Sequence, residues 1–161
     1  MTRSYEGRLD ASGMRVAMVA SRFNDAITRL LVQGAQEGLR RLGCADADMA
    51  VAWVPGSLEL PLAARRLAES GSFDAVVCLG AVVRGATAHF DVVAKESAAG
   101  VARVSADTGV PVVFGVLTTD TIDQAFERAG AKGSNKGADA AAVAVEMVDL
   151  LRRLPGPGDA S

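Results

Sequence analysis

Histidine is almost missing from this chain of 161 residues: there is one, His89. The two cysteines, Cys44 and Cys78, stand far apart with no CxxC or Cys/His ligand spacing, which argues against a disulfide framework and a zinc site. Long apolar runs are missing too, since none approaches the ~20 residues a membrane span requires, and the polar start MTRSYEG has no apolar stretch behind it. A cytoplasmic protein is the expectation. Acidic and basic residues nearly cancel (19 against 17), and no Lys/Arg block is long enough to follow a phosphate backbone, so nucleic acid is excluded as a partner. Aromatics make up only 4% while half the residues are apolar. Small side chains bury little area each, at ~25 cal/mol per Å², so such a chain gains by burying surface against copies of itself.

What is present is a rhythm. The run Arg15 to Ala20 (RVAMVA) reads as a strand broken by Ser21-Arg22-Phe23-Asn24. Apolar positions Ile27, Leu30, Leu31, Ala35, Leu39 and Leu42 then recur at helical spacing, with Asn24 expected as N-cap and Gly43 just past the end. Met49 to Val54 is a second strand and Leu58 to Glu69 a helix carrying Pro61 in its first turn. Ala75 to Val83 is a third strand, followed by a helix from about His89 to Asp107. Val110 to Leu117 is a fourth, with Thr118-Thr119-Asp120 expected to cap a short helix to Ala129. A last helix runs from about Ala138 to Leu154.

Strands apolar on both faces and separated by single helices predict a parallel sheet between two helical layers. Right-handed crossovers make this an α/β flavodoxin-like three-layer sandwich, four-stranded with order 2-1-3-4. The whole chain, 1–161, reads as one domain, with residues 1–7 and 155–161 frayed.

Open sheets of this kind bind ligands beyond the carboxyl ends of their strands, and those ends here read SRFN, PGSLE, VRGATAH and TTD. His89 follows Gly85-Ala86-Thr87 and opens a helix, so nearby amides would present an anion site beside an imidazole that can move a proton. The alternative is an exposed first-turn residue without a duty. Gly80 to Gly85 has P-loop spacing but lacks the lysine that should follow. Phe23 could stack on a planar ring or fold onto the helix as a staple, and Glu59 could simply favour a helix dipole. Arg128, Lys132 and Lys136, at or beyond the end of a helix, have the same ordinary reading. Ser57, Ser21 and Thr87 lack the partners of a Ser-His-Asp hydrolase.

Taken together, SRFN, PGSLELP, GAVVRGATAHFD, VPVVFGVLTTDTIDQAFERAG and KGSNKG closely resemble the lumazine synthase family, collinearly from about Arg8 to Leu154. The resemblance implies condensation of 5-amino-6-(D-ribitylamino)uracil with 3,4-dihydroxy-2-butanone 4-phosphate to 6,7-dimethyl-8-ribityllumazine, releasing phosphate and water, with no cofactor and no metal. It implies that Phe23 stacks on the pyrimidine, and that Ser57, Leu58, Glu59 and the backbone of Ala81, Val82 and Val83 hold the ring and ribityl chain. Ala86 and Thr87 would bind the phosphate, with Arg128 supplying charge and Lys136 supporting, while His89 transfers protons. Phe114 would enter the site from the neighbouring subunit of a ring of five. Leu58 stands where phenylalanine is common and Ala88 where threonine or proline is. The short AGAKGSNKG turn resembles that of members whose pentamers build sixty-subunit shells, which can enclose riboflavin synthase. A non-catalytic flavin- or lumazine-binding protein, or a shell acting as scaffold, is the alternative function.

Overall fold

The strand β1 (Val16–Ser21) is buried at all six positions, which only a central strand covered on both faces can achieve. In the computed structural model, which describes residues 1–159, β1 lies between β2 (Met49–Val54) and β3 (Ala75–Val83), with β4 (Val112–Thr119) beyond. All four are parallel in the order β2-β1-β3-β4, as the rhythm predicts. The pairing of β3 with β1 ends at Ala20↔Leu79, whereas its pairing with β4 continues to Val83↔Thr119. The last residues of β3 therefore have a strand neighbour on one side only.

The helices α1 (Asp25–Arg41), α4 (Ile122–Arg128) and α5 (Lys136–Arg153) cover one core, with Met18, Leu31, Leu39 and Leu79 fully buried there. Helices α2 (Leu60–Glu69) and α3 (His89–Thr108) cover the other, with Leu60, Val76 and Val101. Each such side chain contributes roughly 1.5–3 kcal/mol by leaving water.

Helix α1 stops where Gly43 takes φ 103: the Gly43 amide donates to Arg40 O and the Cys44 amide to Leu39 O, closing a Schellman turn. Helices α1 and α5 approach so closely that a Cβ at Gly137 would fall onto the Leu31 carbonyl. Asn135 locks this contact. Its Nδ2 donates to Leu30 O (3.0 Å) and Ala129 O (2.9 Å), while Oδ1 accepts from the amides of Gly137 and Ala138.

Local boundaries differ from expectation for identifiable reasons. Helix α5 starts at Lys136 rather than Ala138 because Asn135 caps it. The cap of α4 is Thr121, in a capping box with Gln124, so Thr118 and Thr119 are free to extend β4. That strand begins at Val112, because Ser105 Oγ donates to Val110 O and accepts from the Val112 amide, holding the approach. The expected second helix opens as a separate 3-10 turn at Ser57–Glu59. Asn24 stands at the N-cap position of α1 but does not cap: it is left-handed (φ 60) and its Nδ2 donates instead to Ala81 O, 3.0 Å away.

At the amino end residues 1–6 are exposed, and the Arg8 amide donates to Asp149 of α5. Residues 155–159 follow α5 exposed, and positions 160 and 161 of the expected frayed tail lie outside the described residues. Among the described residues no helix is long and apolar enough to cross a membrane.

Candidate active site

The carboxyl ends of β1, β2 and β3 surround a cavity of about 280 Å³. Phe23 enters from the turn after β1, and Gly56, Ser57, Leu58 and Glu59 from the turn after β2. Ala81, Val82 and Val83 come from the end of β3, then Gly85 and Thr87, with His89, Phe90 and Val93 from the first turns of α3. Phe23 is 72% exposed, so it is not folded onto α1 as a staple and is available to a ligand. Leu58 and Glu59 are also exposed, whereas Ser57 is buried. No ion pair engages Glu59 among the described residues.

Packing behind Ser57 explains Gly80, which does not itself line the cavity. A Cβ there would stand 2.6 Å from Ser21 Oγ and 3.1 Å from Ser57 Oγ, so the glycine gives two hydroxyls room side by side. Ser21 Oγ is fully buried without a hydrogen-bond partner, an arrangement that costs free energy and is uncommon in folded proteins.

The end of β3 offers polar main chain. Along a strand, successive residues direct their N–H and C=O to alternate sides. The Arg84 amide faces β4, donating to Thr119 O, and Ala81 O faces the opposite side, accepting from Asn24. By the same alternation the N–H and C=O of Val83 turn toward the side where β1 has ended, which is the cavity side.

Helix α3 begins without a cap: Ala88 occupies the N-cap position and supplies no side-chain bond. Among the described residues nothing accepts from the amides of Gly85, Ala86, Thr87 or Ala88. To this turn an uncapped 20-residue helix adds its own first amides and the positive end of its dipole, and His89 is its first residue. The imidazole is exposed at the cavity wall. Ala86, exposed on the same turn, is beside the lining residues rather than among them.

Three of the expected site residues are elsewhere on the chain. Phe114 lies in the amino-terminal half of β4, in a groove with Val143, Met147 and Leu151 of α5. Arg128 lines a polar cleft with Arg84, Thr118, Thr119 and Asp120, divided from the cavity by the ring of Phe90, which lines both. Its Nη1 donates to Gln124 O, and no carboxylate pairs with it among the described residues, whereas Lys132 is paired with Glu127 at 3.3 Å. Lys136 is exposed at the first turn of α5 and lines neither space.

Sequence reasoning missed Phe90 and Val93 in the wall. Their spacing from His89 is the available signal, because residues one and four places into a helix that starts at the rim must flank it. It also missed the Asn24 tie, which no pattern announces.

The cavity thus combines an exposed aromatic face, main-chain donors and acceptors at the end of a strand, an uncapped helix terminus for an anion, and one imidazole between them. Such a space can hold a planar polar ring beside a phosphorylated fragment. The sequence model of the 6,7-dimethyl-8-ribityllumazine synthase family matches residues 13–152, nearly the whole described chain. The chain belongs to this family, and with it to the enzymes of riboflavin biosynthesis.

Proposed function

From that membership and the shape of the cavity we propose that the protein condenses 5-amino-6-(D-ribitylamino)uracil with 3,4-dihydroxy-2-butanone 4-phosphate to 6,7-dimethyl-8-ribityllumazine, releasing phosphate and water. The observation that carries this reading is the single wall formed by the end of β3 and the start of α3. Main chain for one substrate, free amides for the phosphate of the other, and His89 follow one another along it.

In this reading Phe23 stacks on the pyrimidine, and Ser57, Leu58, Glu59 and the β3 end from Ala81 to Val83 hold its edge and the ribityl chain. Ala86 and Thr87 bind phosphate through their amides. An amine attacks the ketone carbon, the C–N bond forms and the carbonyl oxygen leaves as water. Loss of a proton from the carbon chain then expels phosphate as its C–O bond breaks, and the second amine closes the ring on the remaining carbonyl with loss of a second water, His89 moving protons between the two fragments. Imine formation is intrinsically accessible, so alignment supplies most of the acceleration, with effective molarities up to ~10⁵–10⁸ M in favourable cases. Proton transfer adds at most about 10²–10⁴-fold.

Phe114, Arg128 and Lys136 then act in a neighbouring copy's cavity, with Arg128 and Lys136 attending the phosphate. Exposed apolar side chains support this: Leu58 lines the cavity, Leu62 and Val92 are exposed on α2 and α3, and Val143, Met147 and Leu151 lie around Phe114. Two separate patches fit a head-to-tail ring rather than a two-fold pair. The same reading makes the ring a pentamer, assembled into a sixty-subunit shell in the cytoplasm, which negative-stain images of the purified protein would reveal.

The direct test is to mix protein and both substrates and follow lumazine absorbance and fluorescence; product at only the uncatalysed rate refutes the activity. Sharing of sites is tested by co-expressing Ser57→Trp, which fills the cavity, with Arg128→Ala. Each alone is impaired, and random rings should recover about a quarter of wild-type activity, since intact halves meet at one site in four. No recovery refutes sharing.

A further inference from the structure

Arg84 is the one charged residue of the stretch from Gly80 to His89, and the roles above leave it unused. Its amide donates to Thr119 O at 2.8 Å. Its guanidinium donates from Nε to Asp120 Oδ1 at 2.8 Å, stands 3.8 Å from Asp91 Oδ1, and lies 4.4 Å above the ring of Phe90. One side chain thereby joins the end of β4 to the first turn of α3.

The segment it spans has little else to hold it. Gly85 to Ala88 are exposed, and among the described residues their amides have no acceptor and α3 has no side-chain cap. These amides and His89 must nevertheless be fixed with respect to the cavity. Arg84 itself does not line the cavity; Phe90, on which it lies, does.

On the lumazine synthase reading, we infer that Arg84 is a positioning residue, clamping the turn 85–88 and His89 against the end of β4 through Asp120 and Phe90. The planar guanidinium suits both tasks at once, donating in its plane and stacking with its face. Exposed ion pairs add little to stability, so the clamp acts on geometry: a displacement of about 1 Å can cost ~10²-fold in rate.

The test uses Arg84→Gln, Arg84→Lys, Asp120→Asn and the double variant Arg84→Gln/Asp120→Asn in the full-length protein. Two readouts are taken: lumazine kinetics, and amide hydrogen exchange of the peptide covering residues 89–96. Expected is a fall in kcat/KM of roughly 10-fold or more in Arg84→Gln and in Asp120→Asn. Thermal midpoints should stay near wild type, and the double variant should be no worse than either single. Lysine should rescue only partly, and exchange at the start of α3 should quicken in all four variants. If Asp120→Asn keeps or improves the KM for the phosphorylated substrate while Arg84→Gln loses it, Arg84 touches the ligand itself and the clamp is wrong. Unchanged exchange in Arg84→Gln and Asp120→Asn overturns it too. Should the wild-type protein make no lumazine, the functional reading fails on that result, and the exchange experiment still decides the clamp.

Discussion

Asn24 is the one residue other than glycine that the described backbone holds at positive φ, and its amide is what makes that conformation useful. Asparagine tolerates the left-handed region better than most side chains, which cost about 1–2 kcal/mol there. Asn24→Ala should therefore lose about 1–2 kcal/mol from backbone strain together with the tie to Ala81. Asn24→Gly should recover the backbone part and leave the tie broken, and a thermal-melt comparison of the two checks it. His89→Ala should lower kcat roughly 10- to 100-fold, at or below the small end of acid–base contributions, with KM less affected. Arg128→Ala should chiefly raise the KM for the phosphorylated substrate. Steady-state kinetics of the two variants, unchanged in both, would remove these roles.

At the level of elements, the bracket around Asn135 is where three helices depend on one side chain. Asn135→Asp keeps the acceptor that caps α5 but turns the donor pair facing Leu30 O and Ala129 O into a repelling oxygen. The expected loss is about 3 kcal/mol, the cost of losing two hydrogen bonds and setting a carboxylate oxygen against two carbonyls, readable as a lower urea midpoint than that of Asn135→Ser. Gly137→Ala should be comparably damaging, because the Leu31 carbonyl is backbone and cannot step aside. Strands and helices were legible in the sequence because periodicity and burial coincide in β1, β3 and α1. Caps were less so: Asn24 was the expected cap and does not act as one, whereas Thr121 and Asn135, which the spacing did not single out, do, and only tertiary contacts decide which side chain faces its own helix and which reaches Ala81.

For the molecule as a whole, the β1 entrance and the end of α5 meet at Asp74. Burial pushes its carboxyl up, but the Arg15 amide and guanidinium and the Arg152 charge outweigh this and hold it below the usual carboxylate range. A depressed folded value means the stabilisation is complete above the unfolded value, near pH 4, and disappears as pH falls through the folded one. Wild type should thus melt higher than Asp74→Asn at neutral pH, with the gap closing below about pH 4. At the same scale, part of the lining of one cavity was legible in the sequence. Phe23, Ser57, Leu58, Glu59, Ala81 to Val83, Thr87 and His89 do line one cavity. Phe114, Arg128 and Lys136 do not: Phe114 sits near the start of β4, at the opposite end of the sheet from the rim, Arg128 faces the cleft beyond Phe90, and Lys136 is exposed at the start of α5. The fate of the two thiols carries a practical corollary. Cys44 and Cys78 are both buried, and burial pushes the Cys78 thiol up to about 12. The native chain is consequently a blank background for maleimide chemistry. A cysteine placed at the exposed Ala131 would be the sole point of attachment, giving each copy one dye or cargo molecule at a known address.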